Sequence, residues 1–195
     1  MSDPVASWHA EHVHFARLLR FLDGQLDAFR SGATLDYALM REVVHYLQQV
    51  ADGLHHPRED EAFRRLAARD AGLEVLLNRL LQEHRVLAAA GETLTNLLDG
   101  ILEDVVVERK AVEAAAAQYL VYYHHHLAKE ESEILPRAAL LLTPDDWAAV
   151  AAAIPAAPDP LFGAASDERY RQLRRHMMAQ DGAAGPTTIK LQERS

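Results

Sequence analysis

Two histidine–glutamate pairs, each four residues apart, could do chemistry in this chain. They are His55 and Glu59 in "HHPRED", and His126 and Glu130 in "HHHLAKEE". On a helix that spacing puts an imidazole and a carboxylate on one face, one turn apart. A second motif accompanies them: Glu11-His12 recurs as Glu83-His84, 72 residues on. The pair His55 and Glu59 recurs as His126 and Glu130, 71 residues on. The chain therefore reads EH, HxxxE, EH, HxxxE, one group per expected helix. Four imidazoles and two carboxylates suit a dinuclear centre, with each carboxylate able to bridge two ions and two histidines capping each. Nitrogen and oxygen ligation points to iron, manganese or zinc. With no cysteine in the chain, thiolate zinc sites, thiol catalysis and disulfides are excluded.

These groups must be positioned by long helices. Glycine and proline are sparse before residue 140, and apolar residues recur at helical spacing. A first helix is expected over about 4–29, with Asp3 as N-cap and Pro4 in first position. A second begins after Thr34 or Asp36 and runs to Arg69. Pro57 inside it should bend or locally open the helix without ending it. A third is expected from Leu73 to about Leu98, or as far as Glu103. A fourth runs from about Val107 to Leu141. "TPDDW" starts a short helix through Ala153, with Thr143 as cap and Asp146 closing a capping box. "SDERYRQLRRHMM", capped by Ser166, forms a last helix. The fold class is all-α: an up-down-up-down four-helix bundle with additional short C-terminal helices. Residues 1–178 would form one domain, and 179–195, which lack periodicity, a disordered tail.

In that bundle the six groups share one level. His12 is early in the first helix and His55 late in the second; His84 is early in the third and His126 late in the fourth. Each also lies on the apolar stripe of its helix, as His12 does with Trp8, Phe15 and Leu19. An unpaired buried carboxylate costs several kcal/mol, so a buried cluster of this kind needs a cation. Glu11 and Glu83, next to proposed ligands, either hydrogen-bond histidine N–H groups or are solvated. His9, one turn from His12, is the best candidate for a seventh ligand. His56, His124 and His125 should face the bundle flank or solvent, because a neighbouring residue is turned by about 100°. Of Tyr119, Tyr122 and Tyr123, Tyr122 lies one turn from His126 and is the preferred phenol for contacting a bound species.

The segments "EHVHFARLL", "HHPREDEAF", "LLQEHRVL" and "HHHLAKEESEILP" together resemble the hemerythrin-like, or HHE cation-binding, family. "DPLFG" near the C-terminus extends the resemblance to roughly residues 5–175. It implies a non-haem di-iron centre in a four-helix bundle, held by His12, His55, Glu59, His84, His126 and Glu130. Glu59 and Glu130 would bridge the irons beside an oxo or hydroxo group. It also implies binding or sensing of dioxygen, nitric oxide or peroxide, or iron handling. Oxygen-carrying hemerythrins have a fifth histidine on the third helix, where this chain has Ala88, and end in a histidine–aspartate pair rather than HxxxE. An open position would favour redox or sensing chemistry, including peroxidase-like, catalase-like or ferroxidase turnover. A metal that only stabilises a structural or regulatory module is the further reading. Ferritin-like bundles, with Glu-x-x-His, have the reverse order.

The composition agrees with a soluble globular domain: 49% hydrophobic and 25% charged residues. A formal net charge of −9 argues against nucleic acid or an anionic membrane as partner. Neither a signal segment nor a long apolar run is evident, so a cytoplasmic location is expected.

Overall fold

The computed structural model describes residues 3–163 and 167–183, and every regular element among them is helical. The chain divides into two compact units, 1–157 and 158–195. The first holds all the candidate site residues.

Helix α1 spans Pro4–Arg30. The Asp3 side chain accepts from the Val5 N–H at its start, and Gly32, at φ +80°, takes the left-handed turn that stops it. The second long helix is continuous from Tyr37 to Arg69 but not uniform. It comprises α2 (Tyr37–Leu47), a π-helical stretch (Gln48–His55) and α3 (His56–Arg69). The fourth repeats the pattern with α5 (Arg109–Lys129), a π-helical turn (Glu130–Ile134) and α6 (Leu135–Leu141). In both cases a proline, Pro57 or Pro136, lies in the first turn after the widened segment. A proline offers no N–H and its ring crowds the carbonyl four residues back. A wider turn accommodates both defects without ending the helix. The local opening expected at Pro57 therefore takes the form of a π segment. Between them lies α4 (Glu74–Leu102), which follows a 3₁₀ turn at Ala71–Leu73.

Each long helix packs on two others: α1 on α2 and α5, and α4 on α2 and α5. Gly91 of α4 lets Tyr119 of α5 and Gln48 come close; a Cβ there would meet the Tyr119 ring at 3.3 Å. At one end, a cluster of Trp8, Phe63, Leu66, Leu80 and Ile134 is almost fully buried. Burying each such side chain contributes about 1.5–3 kcal/mol. Towards the other end lie Leu18, Leu22, Val43, Leu94 and Leu98, equally buried. Helix α7 (Pro144–Ala153) has the expected capping box between Thr143 and Asp146, and Arg69 reaches Asp146 at 2.8 Å.

In the second unit, the Asp159 carboxylate accepts from Leu161 and Phe162 N–H, and Asp167 caps a 3₁₀ turn at Glu168–Tyr170. Helix α8 (Arg171–Ala183) follows. Ser166, the expected cap, lies outside the described residues; Asp167 caps the turn that leads into α8. The helix also runs past Met178, so 179–183, expected to be disordered, are helical. Residues 184–195 lie outside the described set.

Candidate metal centre

His12 from α1, His55 and Glu59 from the second long helix, His84 from α4, and His126 and Glu130 from the fourth long helix are brought together, each 6% exposed or less. Each glutamate turns one oxygen to each half of the cluster. Glu59 Oε1 lies 3.1 Å from His55 Nε2 and 3.4 Å from His12 Nε2, while its Oε2 lies 3.6 Å from His84 Nε2. Glu130 Oε1 lies 3.2 Å from His126 Nε2 and 3.4 Å from His84 Nε2, while its Oε2 lies 3.6 Å from His12 Nε2. Two groups of donors result, His12–His55–Glu59 and His56–Glu59–His84–His126, and Glu59 belongs to both.

His56 corrects the sequence expectation. It is 3% exposed, and its ring stacks on His84 at 4.2 Å and 7°. The expected outward turn assumed α-helical phase. The π stretch that ends at His55 advances each residue by a smaller angle, and both His55 and His56 end on the inner side. The doubled histidine in "HHPRED" was its sequence signal.

The other side of each ring shows a regular pattern. Glu11 of α1 accepts from His55 Nδ1 at 2.7 Å, and Asp60 of α3 holds His84 Nδ1 at 2.6 Å. Glu83 of α4 lies 3.4 Å from His126 Nδ1, and Glu131, after α5, holds His12 Nδ1 at 2.7 Å. Each acid sits one residue from a member of the cluster on its own helix and steadies a histidine on the next helix. The four contacts close a ring around the molecule. Glu11 and Glu83 thus take the hydrogen-bonding option rather than the solvated one. Asp60 and Glu131 were missed by sequence reasoning; the signal was an acid directly after each HxxxE glutamate. His56 differs, with Asp52 at 3.1 Å from its Nδ1 but not aligned for a hydrogen bond.

This ring fixes the tautomers. With Nδ1–H donated to a carboxylate, each Nε2 presents a lone pair inward. His12 Nε2 and His55 Nε2 then face each other at 2.8 Å, and two lone pairs at that distance repel unless a proton, making it a hydrogen bond, or a metal cation lies between them. Both oxygens of Glu59, Oε2 of Glu130, and Nε2 of His56 and His126 are buried without a hydrogen-bond partner. Such orphaned atoms are costly in a closed core. The donor set fits a cation: imidazole nitrogens and carboxylate oxygens, pointed at one another and otherwise unsatisfied.

Protons feel the same field. Burial opposes charge on His12, but Glu131, Glu59 and Glu130 outweigh it and raise its pKa to about 10. Burial likewise opposes charge on His84, and Asp60, Glu130 and Glu59 raise it to about 10. Burial would raise Glu59, but the His55 and His12 imidazoles hold it well below the usual carboxylate range. His56 goes the other way: burial and the neighbouring His84 charge push it well below its ordinary value. A protonated cluster and a metal-loaded one are therefore alternatives, and metal binding must release protons.

A family model for the hemerythrin HHE cation-binding domain matches residues 3–138. The chain belongs to the hemerythrin HHE cation-binding family. Every residue of the cluster and of the carboxylate ring falls in the matched span, which ends before α7 and so does not include "DPLFG". Among curated proteins, none matches the chain. Hemerythrin-like domains bind metal ions, and the buried histidine–glutamate cluster is where this one could do so. Two expected members of the site lie elsewhere. His9 is exposed and bonds Glu131 at 2.8 Å, so it supports the ring from outside and does not enter the cluster. Tyr122 is 41% exposed and lines a surface depression with Arg79, Glu83 and His125; the buried phenols of α5 are Tyr119 and Tyr123, both 0% exposed. Tyr123 is one residue on, turned onto the inner face of α5. His124 bonds Asp23 at the surface, as expected of a bystander.

Proposed function

We propose that the chain is a non-haem di-iron protein, an up-down-up-down four-helix bundle with a C-terminal helical extension. Its centre would bind or sense dioxygen, nitric oxide or peroxide. His12 and His55 would hold one ion; His56, His84 and His126 the other; Glu59 and Glu130 would bridge them. The observation that carries this reading is the split of each buried glutamate, one oxygen towards each half. Manganese or zinc fits the same donors. Two adjacent redox-active ions held there would supply electron exchange with a small diatomic or peroxide ligand.

The chain's own residues do the rest. Glu11, Asp60, Glu83 and Glu131 hold the imidazoles in the Nε2-inward tautomer. Phe15 and Trp8, packed on His55 at 5.1 and 6.0 Å between ring centres, exclude water from that side. His56 takes the part of the histidine that Ala88 lacks, so the imidazoles divide two and three. The half with two has fewer protein ligands, and it is where a small ligand would fit. No helix among the described residues is long and apolar enough to cross a membrane, and with no disulfide to form we place the protein in the cytoplasm.

Anaerobic reconstitution with ferrous ion, then metal analysis and absorption spectroscopy in air, tests the proposal. About two irons per chain and an oxo-to-iron charge-transfer band are expected. Less than one iron with no such band sinks it. Catalytic cycling with peroxide or ferrous ion would move the reading from binding to a peroxidase-like or ferroxidase enzyme.

A further inference from the structure

Each of the four ring carboxylates is partly exposed, with its inner side on a buried histidine. They differ in what meets them from outside. Arg58 donates to Glu11 at 2.7 Å, on the same oxygen that holds His55. Arg79 donates to Glu83 at 2.9 Å, on the oxygen turned away from His126. A guanidinium keeps its charge and repels an approaching cation. Those two corners are closed to a metal ion. The third is Asp60, whose Oδ1 holds His84.

The Glu131 corner is built differently. His9, 61% exposed, meets Glu131 Oε2 at 2.8 Å, while Oε1 holds the buried His12 Nδ1 at 2.7 Å. An imidazole nitrogen and a carboxylate oxygen each bind a metal ion at about 2.0–2.2 Å, so two of them at right angles on one ion stand roughly 3 Å apart. His9 and Glu131 already have nearly that spacing. Inward from them, Glu131 adjoins Glu130 in the π-helical turn, and Glu130 Oε2 lies 3.6 Å from His12 Nε2. That oxygen is buried without a hydrogen-bond partner. Two consecutive glutamates thus flank the two nitrogens of one imidazole. Donors follow one another from solvent to the centre: His9, Glu131, His12, Glu130.

We propose that His9 and Glu131 form the entry site for metal, a surface chelate that takes a divalent cation from solvent and passes it around the His12 ring to Glu130. This rests on the metal-centre reading above. His9 holds the ion only in transit and is not a resident ligand. On arrival the ion replaces the hydrogen shared by His9 Nδ1 and Glu131 Oε2, and that proton leaves to solvent. Glu131 then hands the ion to Glu130 Oε2 and His12 Nε2 and resumes its hold on His12 Nδ1. A residue used only in transit sets the rates of uptake and release alike and leaves the affinity alone. A residue that merely steadied Glu131 would instead lower the affinity, through faster release.

The experiment mixes the metal-free full chain with cobalt(II) chloride in a stopped-flow instrument and follows the visible cobalt absorption; excess EDTA drives release. Stoichiometry and affinity are measured first by competition titration. A wild-type chain that takes up no cobalt overturns the metal-centre reading and the route together, whereas normal binding with unmoved variant rates overturns the route alone. In His9→Ala, uptake and release should each slow at least tenfold, with affinity and stoichiometry unchanged. His9→Glu keeps a donor at the surface and should restore most of the rate. His9→Arg should be slower than His9→Ala, because it guards Glu131 as Arg58 guards Glu11. His125→Ala, beside the Glu83 corner, should leave both rates as they are. Wild-type uptake in His9→Ala, or a lower affinity that comes from faster release only, would overturn the proposal. So would slower uptake in Asp60→Asn than in His9→Ala, which would place the entrance at the third corner.

Discussion

The two halves of the cluster use the same HxxxE element and present it differently. In the His126 half, three consecutive histidines precede the glutamate, yet His124 bonds Asp23 at the surface and His125 borders an exposed depression. In the second long helix, two consecutive histidines both turn inward, His55 to its own half and His56 to the His126 half. The cause is where the π segment falls. In the second long helix it runs up to and includes His55 and shifts the phase of both histidines; in the fourth it begins at Glu130, after His126 is already placed. Two copies of one spacing thus yield two imidazoles on one side and three on the other.

The largest effect should come from removing what joins the halves. Glu59→Ala and Glu130→Ala should each abolish metal uptake at both positions, while His124→Ala keeps it. Equal metal content in all three proteins would refute the bridging assignment. Next in size, His56→Ala should lower the stoichiometry from about two ions to about one, without a comparable loss in His125→Ala. Retention of two ions would return His56 to the role of a core residue.

Weaker effects belong to the carboxylate ring. Glu11→Gln, Asp60→Asn and Glu131→Gln should each weaken metal binding by about 10–100-fold in a competition titration. Glu83→Gln should weaken it least, because its contact with His126 is the longest of the four. Equal losses at all four would mean that these distances do not rank the contacts.

The pH dependence of stability tests whether the halves compete for protons as for metal. His12 and His84, one from each half, have folded-state pKa values raised to about 10 from 6.5. In the metal-free protein their stabilising contribution is complete below about 6.5 and is lost as pH rises through about 10. The melting temperature of that form should fall across this window, and fall less in the metal-loaded form, where the cation replaces the protons. Parallel curves would show that neither histidine carries the charge.

Much of this was legible from residue types and spacing. The four long helices, the cap at Asp3, the capping box at Thr143 and the six inward groups all follow from local rules: helical period, capping chemistry and i,i+4 geometry. The family resemblance rested on those same positions. What local rules could not give was phase. Pro57 announced a disturbance in the helix, but whether a helix kinks, breaks or widens depends on what its neighbours pack against. His56 and Tyr122 were misplaced because each was positioned by a uniform 100° step or by one-turn spacing alone.

Pairings between helices were equally beyond the sequence. Glu11 stands beside His12 in the chain but serves His55, and Glu131 stands beside Glu130 but serves His12. By itself, the sequence determined that this protein is helical and that it gathers imidazoles and carboxylates at one level, since periodicity and spacing are properties of single helices. Only the tertiary structure decided which acid orients which ring, and how the five histidines divide. Those contacts join residues far apart in the chain, and their geometry exists only once the helices pack.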